Sequence, residues 1–176
     1  ATFWELSLSV ISILEKESDK LKDFKTIGLI STIQYIKTME RAKGFLEKSG
    51  KETVLHKTLK YPGQILGCCT YAANNIENKV DCFLFIGTGL FHPLGVAIGV
   101  EKPVFSLDLE KREIYSLEKE KMIWLKKRAW FKSKLEDAKS VGILVSWKKG
   151  QNRIDEARKL KKGFEDEGKE VTLLAL

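Results

Sequence analysis

Two adjacent thiols follow a loop rich in chain-breaking residues. Cys68 and Cys69 end the segment YPGQILGCC (61–69), in which Gly67 is predicted to let the backbone turn closely before the thiol. A helix is predicted just after the pair, and a thiolate at a helix N-terminus is stabilised as a nucleophile or a metal ligand. The alternative is a pair of small buried side chains. Cys82 lies inside an apolar run and is predicted to be part of the core.

A glycine-rich segment follows that apolar run. Gly87 and Gly89 permit close approach of the backbone to a ligand, and Thr88 supplies a hydroxyl, although an ordinary turn would have the same composition. The dinucleotide-binding pattern G-x-G-x-x-G is not met, because position 92 is His. His92 is either a base or a residue that hydrogen-bonds its own loop.

A basic segment, SWKKGQNR (146–153), follows a later apolar run. Lys149, Gly150 and Gln151 are suited to bind an anion or a carboxylate if the glycine lies at a helix N-terminus. A solvated basic turn is the alternative, and the spacing is not that of a phosphate-binding P-loop. Asp108 is either a cap or an acid at the ligand edge, and no Ser-His-Asp or paired-carboxylate arrangement is recognisable.

Apolar runs of strand length alternate with segments of helical period, which predicts an α/β fold. The predicted strands are 27–33, 53–56, 82–86, 104–107, 141–146 and 171–174. We expect repeated domains, each a four-stranded parallel sheet flanked by helices. All βα loops then emerge at one edge, so Cys68 and the Gly87–Gly89 segment share one mouth. A long helix from Ser116 is expected to bury Trp124 and Phe131.

An internal repeat organises the chain. The segment DFKTIGL (23–29) recurs as DAKSVGI (137–143), and GF…GKE (44–52) recurs as GF…GKE (163–170). A chance match of short α/β units is the alternative. The repeat predicts the last helix of a preceding copy at 1–23, a complete domain at 24–139 and the first half of a following copy at 140–176, which superposes on 25–55.

Composition narrows the class of protein. The 176 residues are 43% hydrophobic and 31% charged, with no apolar run of the roughly 20 residues that a transmembrane helix needs. The N-terminus has no basic leader, and three cysteines argue against a disulfide framework and for a reducing cytoplasm. The net charge of +7 suits an acidic partner, but the charges are interleaved as on solvated helix faces, so nucleic-acid binding is not expected.

Four segments together resemble the archaeal diphthamide synthase family, the 2-(3-amino-3-carboxypropyl)histidine synthases. In chain order they are PGQILGC (62–68), FIGTGLFHPLG (85–95), VFSLD (104–108) and GILVS…KGQ (142–151). The similarity runs over nearly the whole chain. Members of the family have three similar α/β domains, so the resemblance accounts for the repeat and identifies 24–139 with the middle domain.

The resemblance implies an iron–sulfur transferase. In the family, each domain contributes one cysteine to a 4Fe–4S cluster that binds S-adenosylmethionine. Reductive cleavage releases a 3-amino-3-carboxypropyl radical, which attacks a histidine of translation elongation factor two in the first step of diphthamide biosynthesis. Cys68 matches the middle-domain metal ligand, because it directly follows the glycine of the G-Q-x-L-G motif, whereas Cys69 falls at a variable position.

The resemblance also implies a cytoplasmic homodimer without a direct nucleic-acid or membrane partner. No residue is assigned as catalytic; the expected cofactor-binding residues are Gly87, Thr88, Gly89, His92, Lys149, Gly150 and Gln151. The other two cluster ligands have no match in the chain, and a 4Fe–4S cluster needs about three or four thiolates, so the chain alone is expected to be inactive. The alternative function is a non-catalytic tandem α/β module that binds a small anionic metabolite or a protein partner.

Overall fold

Two buried strands lie at the centre of the first of two compact units, Ala1–Trp124 and Leu125–Leu176. The structure is a computed structural model that describes residues 3–67, 69–148 and 151–176. β1 (Thr26–Ser31) and β3 (Cys82–Gly87) pair in parallel, and nearly all of their residues are buried. Continuous apolar runs of this kind are typical of strands covered on both faces.

The first unit contains one sheet with the strand order β2-β1-β3-β4-β5. β2 (Glu52–Val54) and β4 (Val104–Asp108) extend the parallel pair on either side, which confirms the predicted α/β class with a parallel sheet. β5 (Glu113–Ser116) runs antiparallel to β4 at the edge. The sheet therefore has five strands rather than the four predicted.

A tight turn after β4 explains the additional strand. The Asp108 carboxylate accepts the N–H groups of Glu110 and Lys111 at 3.0 and 3.1 Å. The Arg112 N–H closes the turn by donating to the Asp108 carbonyl at 2.8 Å, with φ of +57° at Arg112. Asp108 is therefore a cap, the first of the two predicted roles. A left-handed arginine is uncommon, and the sequence holds no glycine or asparagine to mark this turn.

Helices cover both faces of the sheet. Those of the first unit are α1 (Phe3–Glu17), α2 (Ile36–Lys48), α3 (Tyr71–Asn74) and α4 (Phe91–Gly99); α5 (Glu118–Glu136) contains the division between the units, and α6 (Ile154–Asp166) belongs to the second unit. One core cluster combines α1 and α2 with β1, and includes Val10, Leu14 and Met39. The other combines α3 and α4 with Phe83 and Phe85 of β3. In this unit α1, α2, α3 and α4 each bury an apolar face in one of these clusters.

The second unit repeats local details of the first. β6 (Ser140–Val145) and β7 (Glu170–Ala175) pair in parallel from Ser140–Glu170, as β1 and β2 pair from Thr26–Glu52. Gly50 follows α2 with φ of +81°, and Gly168 follows α6 with φ of +82°. With a positive φ at this position, the N–H groups that follow the helix can bond its last carbonyl oxygens. Glycine adopts this conformation without strain.

A lysine at the start of each second strand makes the same contacts in both units. The Lys51 ammonium donates to the carbonyl oxygens of Leu21, Lys22 and Phe24 at 2.8, 3.0 and 2.7 Å. The Lys169 ammonium donates to those of Glu136 and Ala138 at 2.8 and 3.0 Å. These bonds tie the chain that enters the first strand of each unit to the start of its second strand.

The helix that joins the units is more exposed than predicted. Trp124 is 39% exposed and Phe131 is 64% exposed, so the expected buried stripe of α5 is wrong for these residues. Lysines and an arginine at 126–128 interrupt the apolar face between them. The two units divide inside α5, whereas the sequence predicts a boundary at 139/140. The helix α1, which the sequence assigns to a preceding copy, packs in the core of the first unit. Of the helices that the structure describes, none is long and apolar enough to cross a membrane.

Replacing Lys51 with methionine should destabilise the protein. The substitution keeps the side-chain length but leaves two part-buried carbonyl oxygens and one exposed carbonyl oxygen without their donor, at a cost of about 1–3 kcal/mol. The measurement is urea unfolding. Lys48→Met, at the exposed end of α2, is the matched control and should change stability by less than about 0.5 kcal/mol. Equal effects of the two substitutions would contradict a specific role for Lys51.

Cys82 provides a second test of the core. Burial raises the pKa of the Cys82 thiol from 9.0 to about 12, with Asp81 adding to the effect and Lys51 opposing it. Cys82→Ala should cost about 1 kcal/mol of stability at neutral pH through lost packing, and Cys69→Ala, at a half-buried site, should cost less.

The difference in stability between the wild-type protein and Cys82→Ala should depend on pH. Only the unfolded chain ionises this thiol between pH 9.0 and about 12, so the wild-type protein loses stability as the pH rises through that window. Cys82→Ala lacks this loss, and its deficit relative to wild type should shrink at about pH 10 in urea unfolding. A deficit that grows with pH would show that the thiol is ionised in the folded protein.

Candidate functional site

The carboxyl ends of β1 and β3 form a switch point in the sheet. From β1 the chain leads through α2 to one side, and from β3 it leads through α4 to the other. Such divergence leaves a crevice in which α/β sheets bind ligands. Ser31, at the end of β1, is fully buried, and its hydroxyl donates to the Ile86 carbonyl of β3 at 2.7 Å. No local motif marks Ser31 in the sequence.

The loop that contains the two adjacent thiols is fixed to the end of β1. The Ser31 N–H donates to the Gly63 carbonyl, and the Ile65 N–H donates to the Ser31 carbonyl, both at 2.9 Å. Gly63 has φ of +71°, and a Cβ there would lie 2.6 Å from the Leu29 carbonyl oxygen, so only glycine fits. The buried Gln64 side chain accepts the Tyr61 N–H at 3.1 Å. The loop therefore reaches the ligand edge of the sheet, as predicted.

Two backbone hydrogen bonds, of 3.0 and 3.1 Å, join Leu66 and Cys69. Cys69 is half-buried. Cys68, the predicted metal ligand, lies outside the described residues, so its assignment stays a prediction.

The glycine-rich segment lies on the other side of the crevice. Gly87 is buried, and a Cβ there would lie 2.7 Å from Cζ of Phe85 and 3.3 Å from Cδ2 of Tyr35. The hydroxyls of Tyr35 and Thr88 lie 3.2 Å apart and share a hydrogen bond. Gly89 has φ of +75° and open space at its Cβ position. Tyr35 joins the β1–α2 and β3–α4 loops, and sequence reasoning did not find it because its partner is 53 positions away.

An aromatic ring connects the glycine-rich segment to the thiol loop. A Cβ at Gly67 would overlap Cε1 of Phe91 and lie 3.1 Å from its Cζ. His92 packs edge-to-face against Phe91, with ring centroids 5.3 Å apart. Neither predicted role of His92, as a base or as a partner of its own loop, is tested by this packing. Phe91 is missing from the sequence prediction, although an aromatic residue beside a Gly-x-Gly segment is a usable signal.

The basic segment lies in the second unit, after the carboxyl end of β6. Lys149 and Gly150 lie outside the described residues, and Gln151 is exposed, with its N–H bonded to the Lys148 carbonyl at 2.9 Å. α6 begins at Ile154, and the Asn152 side chain already accepts its first N–H at 3.0 Å. The helix thus begins four positions after Gly150, and the expected role of Lys149 and Gly150 stays a prediction.

A complete metal site is not present in the part of the chain that the structure describes. No group of three or more His, Cys, Asp or Glu side chains there has a geometry that would hold a metal ion. Cys82 lies in the core of β3, where burial raises the pKa of its thiol to about 12. A 4Fe–4S cluster needs about three or four thiolates, so the described residues do not fit a whole cluster.

Comparison with known proteins gives consistent matches along the chain. The family model described as "Putative diphthamide synthesis protein" matches residues 2–176. The 2-(3-amino-3-carboxypropyl)histidine synthase of Pyrococcus horikoshii is 32% identical over 174 residues, which cover 94% of this chain and 49% of that protein. The synthase of Methanocaldococcus jannaschii is 36% identical over 141 residues, which cover 70% of this chain and 40% of that protein.

A solved structure matches the fold. The crystal structure of Dph2 from Pyrococcus horikoshii with a 4Fe-4S cluster has a TM-score of 0.85 at 32% identity, covering 94% of this chain and 49% of the other. The chain thus spans about half the length of that relative. Because the family model matches from residue 2 to residue 176, the protein belongs to the diphthamide synthesis family.

Proposed function

We propose that this chain is part of a 2-(3-amino-3-carboxypropyl)histidine synthase. The reaction transfers a 3-amino-3-carboxypropyl group from S-adenosylmethionine to a histidine of translation elongation factor two, in the cytoplasm, as the first step of diphthamide biosynthesis. The assembly is a homodimer, and the transferred group passes through a radical. The observation that carries the proposal is the thiol loop, which is fixed at the switch point of a sheet that matches a cluster-containing relative.

We assign Cys68 as this chain's metal ligand. The assignment rests on the resemblance to the family, in which the ligand directly follows the glycine of the G-Q-x-L-G motif, as Cys68 does here; Cys82 is enclosed in β3. A bound 4Fe–4S cluster would supply the electron for cleavage of S-adenosylmethionine. This chain contributes one thiolate, and the remaining ligands come from other domains of the assembly.

Thr88 and Gly89 are proposed to bind the polar end of the substrate. The Tyr35 hydroxyl holds the Thr88 hydroxyl at the crevice. Gly89, with open space around its Cα, lets a ligand approach the backbone. Gly87 contributes by keeping the space beside Phe85 and Tyr35 free of a side chain, and His92 lies at the outer rim.

The β6–α6 loop is proposed to supply a second set of substrate contacts. Four residues separate β1 from α2, whereas eight separate β6 from α6. The longer loop contains Lys149, Gly150 and Gln151, whose charge and donors suit a carboxylate such as that of the 3-amino-3-carboxypropyl group. Its length relative to the first unit supports a role beyond connecting strand and helix. We also propose that 140–176 repeats 25–55, which the shared register and lysine contacts support.

Anaerobic iron–sulfur reconstitution tests the assignment of Cys68. The full-length gene product should gain a broad absorption in the violet region and an electron paramagnetic resonance signal after reduction. Cys68→Ala should lose both, because a ligand is removed, whereas Cys69→Ala, one position away, should retain both. Absence of any cluster in the unmodified protein would favour the alternative function, a non-catalytic module that binds an anionic metabolite or a protein.

Binding of S-adenosylmethionine tests the glycine-rich segment. Thr88→Val removes the hydroxyl and keeps the shape, so it should weaken binding roughly tenfold if that hydroxyl bonds the substrate. Isothermal calorimetry measures the change. Thr172→Val, at an exposed position of β7, is the control and should leave binding unchanged. Unaltered binding by Thr88→Val would remove this residue from the site.

A further inference from the structure

A cavity of about 480 Å³ lies in the first unit, at the carboxyl end of β4, where Asp108 lines it. We call it the β4–β5 cavity, because the turn between these strands and β5 itself form much of its wall, together with the first turn of α5 and Gly89. Its volume is that of a small-molecule pocket, and it lies at the edge where parallel sheets bind ligands. Other side chains that line it are Leu90, Lys111, Glu113, Tyr115, Lys119 and Glu120.

The β4–β5 cavity brings together charges of both signs that do not pair with each other. Lys111 and Lys119 supply two ammonium groups, and Glu113 and Glu120 supply two carboxylates. In the part of the chain that the structure describes, none of these four side chains takes part in an ion pair. A ligand with one group of each sign would complement this arrangement, because each of its charged groups would find an opposite charge.

Glu120 lacks a partner for one of its oxygens. Its Oε2 atom is buried, and no hydrogen-bond donor among the described residues contacts it. Buried polar atoms are nearly always hydrogen-bonded in folded proteins, so this exception calls for an explanation. The charge of a carboxylate is shared between its two oxygens, so an ammonium group that bound Glu120 from the cavity would compensate it. The acidic side of the cavity therefore favours a ligand with an amine.

Lys111 is held at the opposite, basic side by its surroundings. Its backbone N–H donates to the Asp108 carboxylate at 3.1 Å, which fixes the turn. Its ammonium lies over the Tyr115 ring, 4.8 Å from the ring centroid, and an aromatic face attracts a cation without using all of its donors. A ligand carboxylate would use the donors that remain. The Tyr115 ring and Leu90, which is 41% exposed, add apolar surface.

We propose that the β4–β5 cavity binds the ammonium and carboxylate groups of an α-amino acid with an apolar side chain. The ammonium binds Glu120, and the carboxylate binds Lys111. The apolar side chain lies against Leu90 and Tyr115. Two ligands have this chemistry: a free amino acid, and S-adenosylmethionine, which carries the same two charged groups. The inference needs neither a cluster nor Cys68, so it does not rest on the proposed function.

Isothermal calorimetry on the full-length protein tests the class of ligand. L-Methionine should bind, and each of two analogues should bind at least about tenfold more weakly. The first analogue, methioninol, lacks the carboxylate, and the second, N-acetyl-L-methionine, lacks the ammonium. L-Norleucine keeps both charged groups and an apolar side chain, so it should bind about as tightly as methionine.

Two substitutions test the residues that are proposed to bind the charged groups. Glu120→Gln keeps the shape of the side chain and should reduce the preference for methionine over N-acetyl-L-methionine roughly tenfold. Lys111→Met should reduce the preference for methionine over methioninol in the same way. Glu118→Gln, at an exposed position in the same turn of α5, is the matched control and should leave binding unchanged. Urea unfolding checks that each variant is folded.

Competition distinguishes the two sources of the amino acid. If S-adenosylmethionine uses the cavity, L-methionine should displace it, and Glu120→Gln should weaken its binding roughly tenfold. If the cavity takes a free amino acid, the binding of S-adenosylmethionine should be unaffected by methionine and by both substitutions.

Two results would overturn the proposal. One is that Glu120→Gln and Lys111→Met change the binding of neither methionine nor S-adenosylmethionine. The other is that the control Glu118→Gln weakens binding as much as Glu120→Gln does, which would mean that the charge of the helix end matters and the cavity does not. Cluster formation plays no part in these titrations, so failure here is distinguishable from failure of the reconstitution experiment.

Discussion

The hydroxyl and backbone of one serine hold together the segments that form the ligand edge. Ser31 is the point where β1, β3 and the thiol loop meet, and all of its polar groups are used there. A buried polar group that lost one of these partners would cost about 1–3 kcal/mol, so the arrangement is strongly preferred over a displaced loop. The positions of Gly63 and Ile65 follow from this constraint.

The two edges of the sheet serve different purposes. At the amino edge, Asp81 accepts the N–H groups of Lys25 and Thr26, and these bonds hold the pKa of its carboxyl below its usual value. That carboxylate fixes the entry to β1. At the carboxyl edge, the Tyr35 and Thr88 hydroxyls bond each other, and Gly89 has open space at its Cβ position. Stabilising charges and proposed binding groups are thus separated by the length of the strands.

Sequence reasoning succeeded where a signal is local. The parallel pairing of β3 and the burial of Cys82 follow from one continuous apolar run. β5 was missed because its four residues have no clear alternation and its turn relies on Asp108 and a left-handed Arg112. In a parallel sheet every loop from a strand to the following helix emerges at the same edge. The sequence therefore also predicted that the thiol loop and the glycine-rich segment share an edge.

Contacts between distant positions were beyond such reasoning. Gly67 is predicted from sequence to serve a tight backbone turn, whereas in the structure the Phe91 ring occupies the space that a Cβ at this position would fill. Ser31 and Tyr35 have partners more than 50 positions away, and no spacing rule identifies them. The exposure of Phe131 in α5 likewise depends on packing that helical period alone does not determine.

The paired lysines have a consequence for how such a protein diversifies. Lys51 and Lys169 make the same carbonyl contacts at the amino edge of each unit, while the loops at the opposite edge differ in length by four residues. A duplicated gene can therefore keep its folding determinants at one end of the strands and accumulate new chemistry at the other. For an engineer, the β1–α2 and β6–α6 loops are natural units of exchange, because neither carries the lysine on which its own strand pair depends.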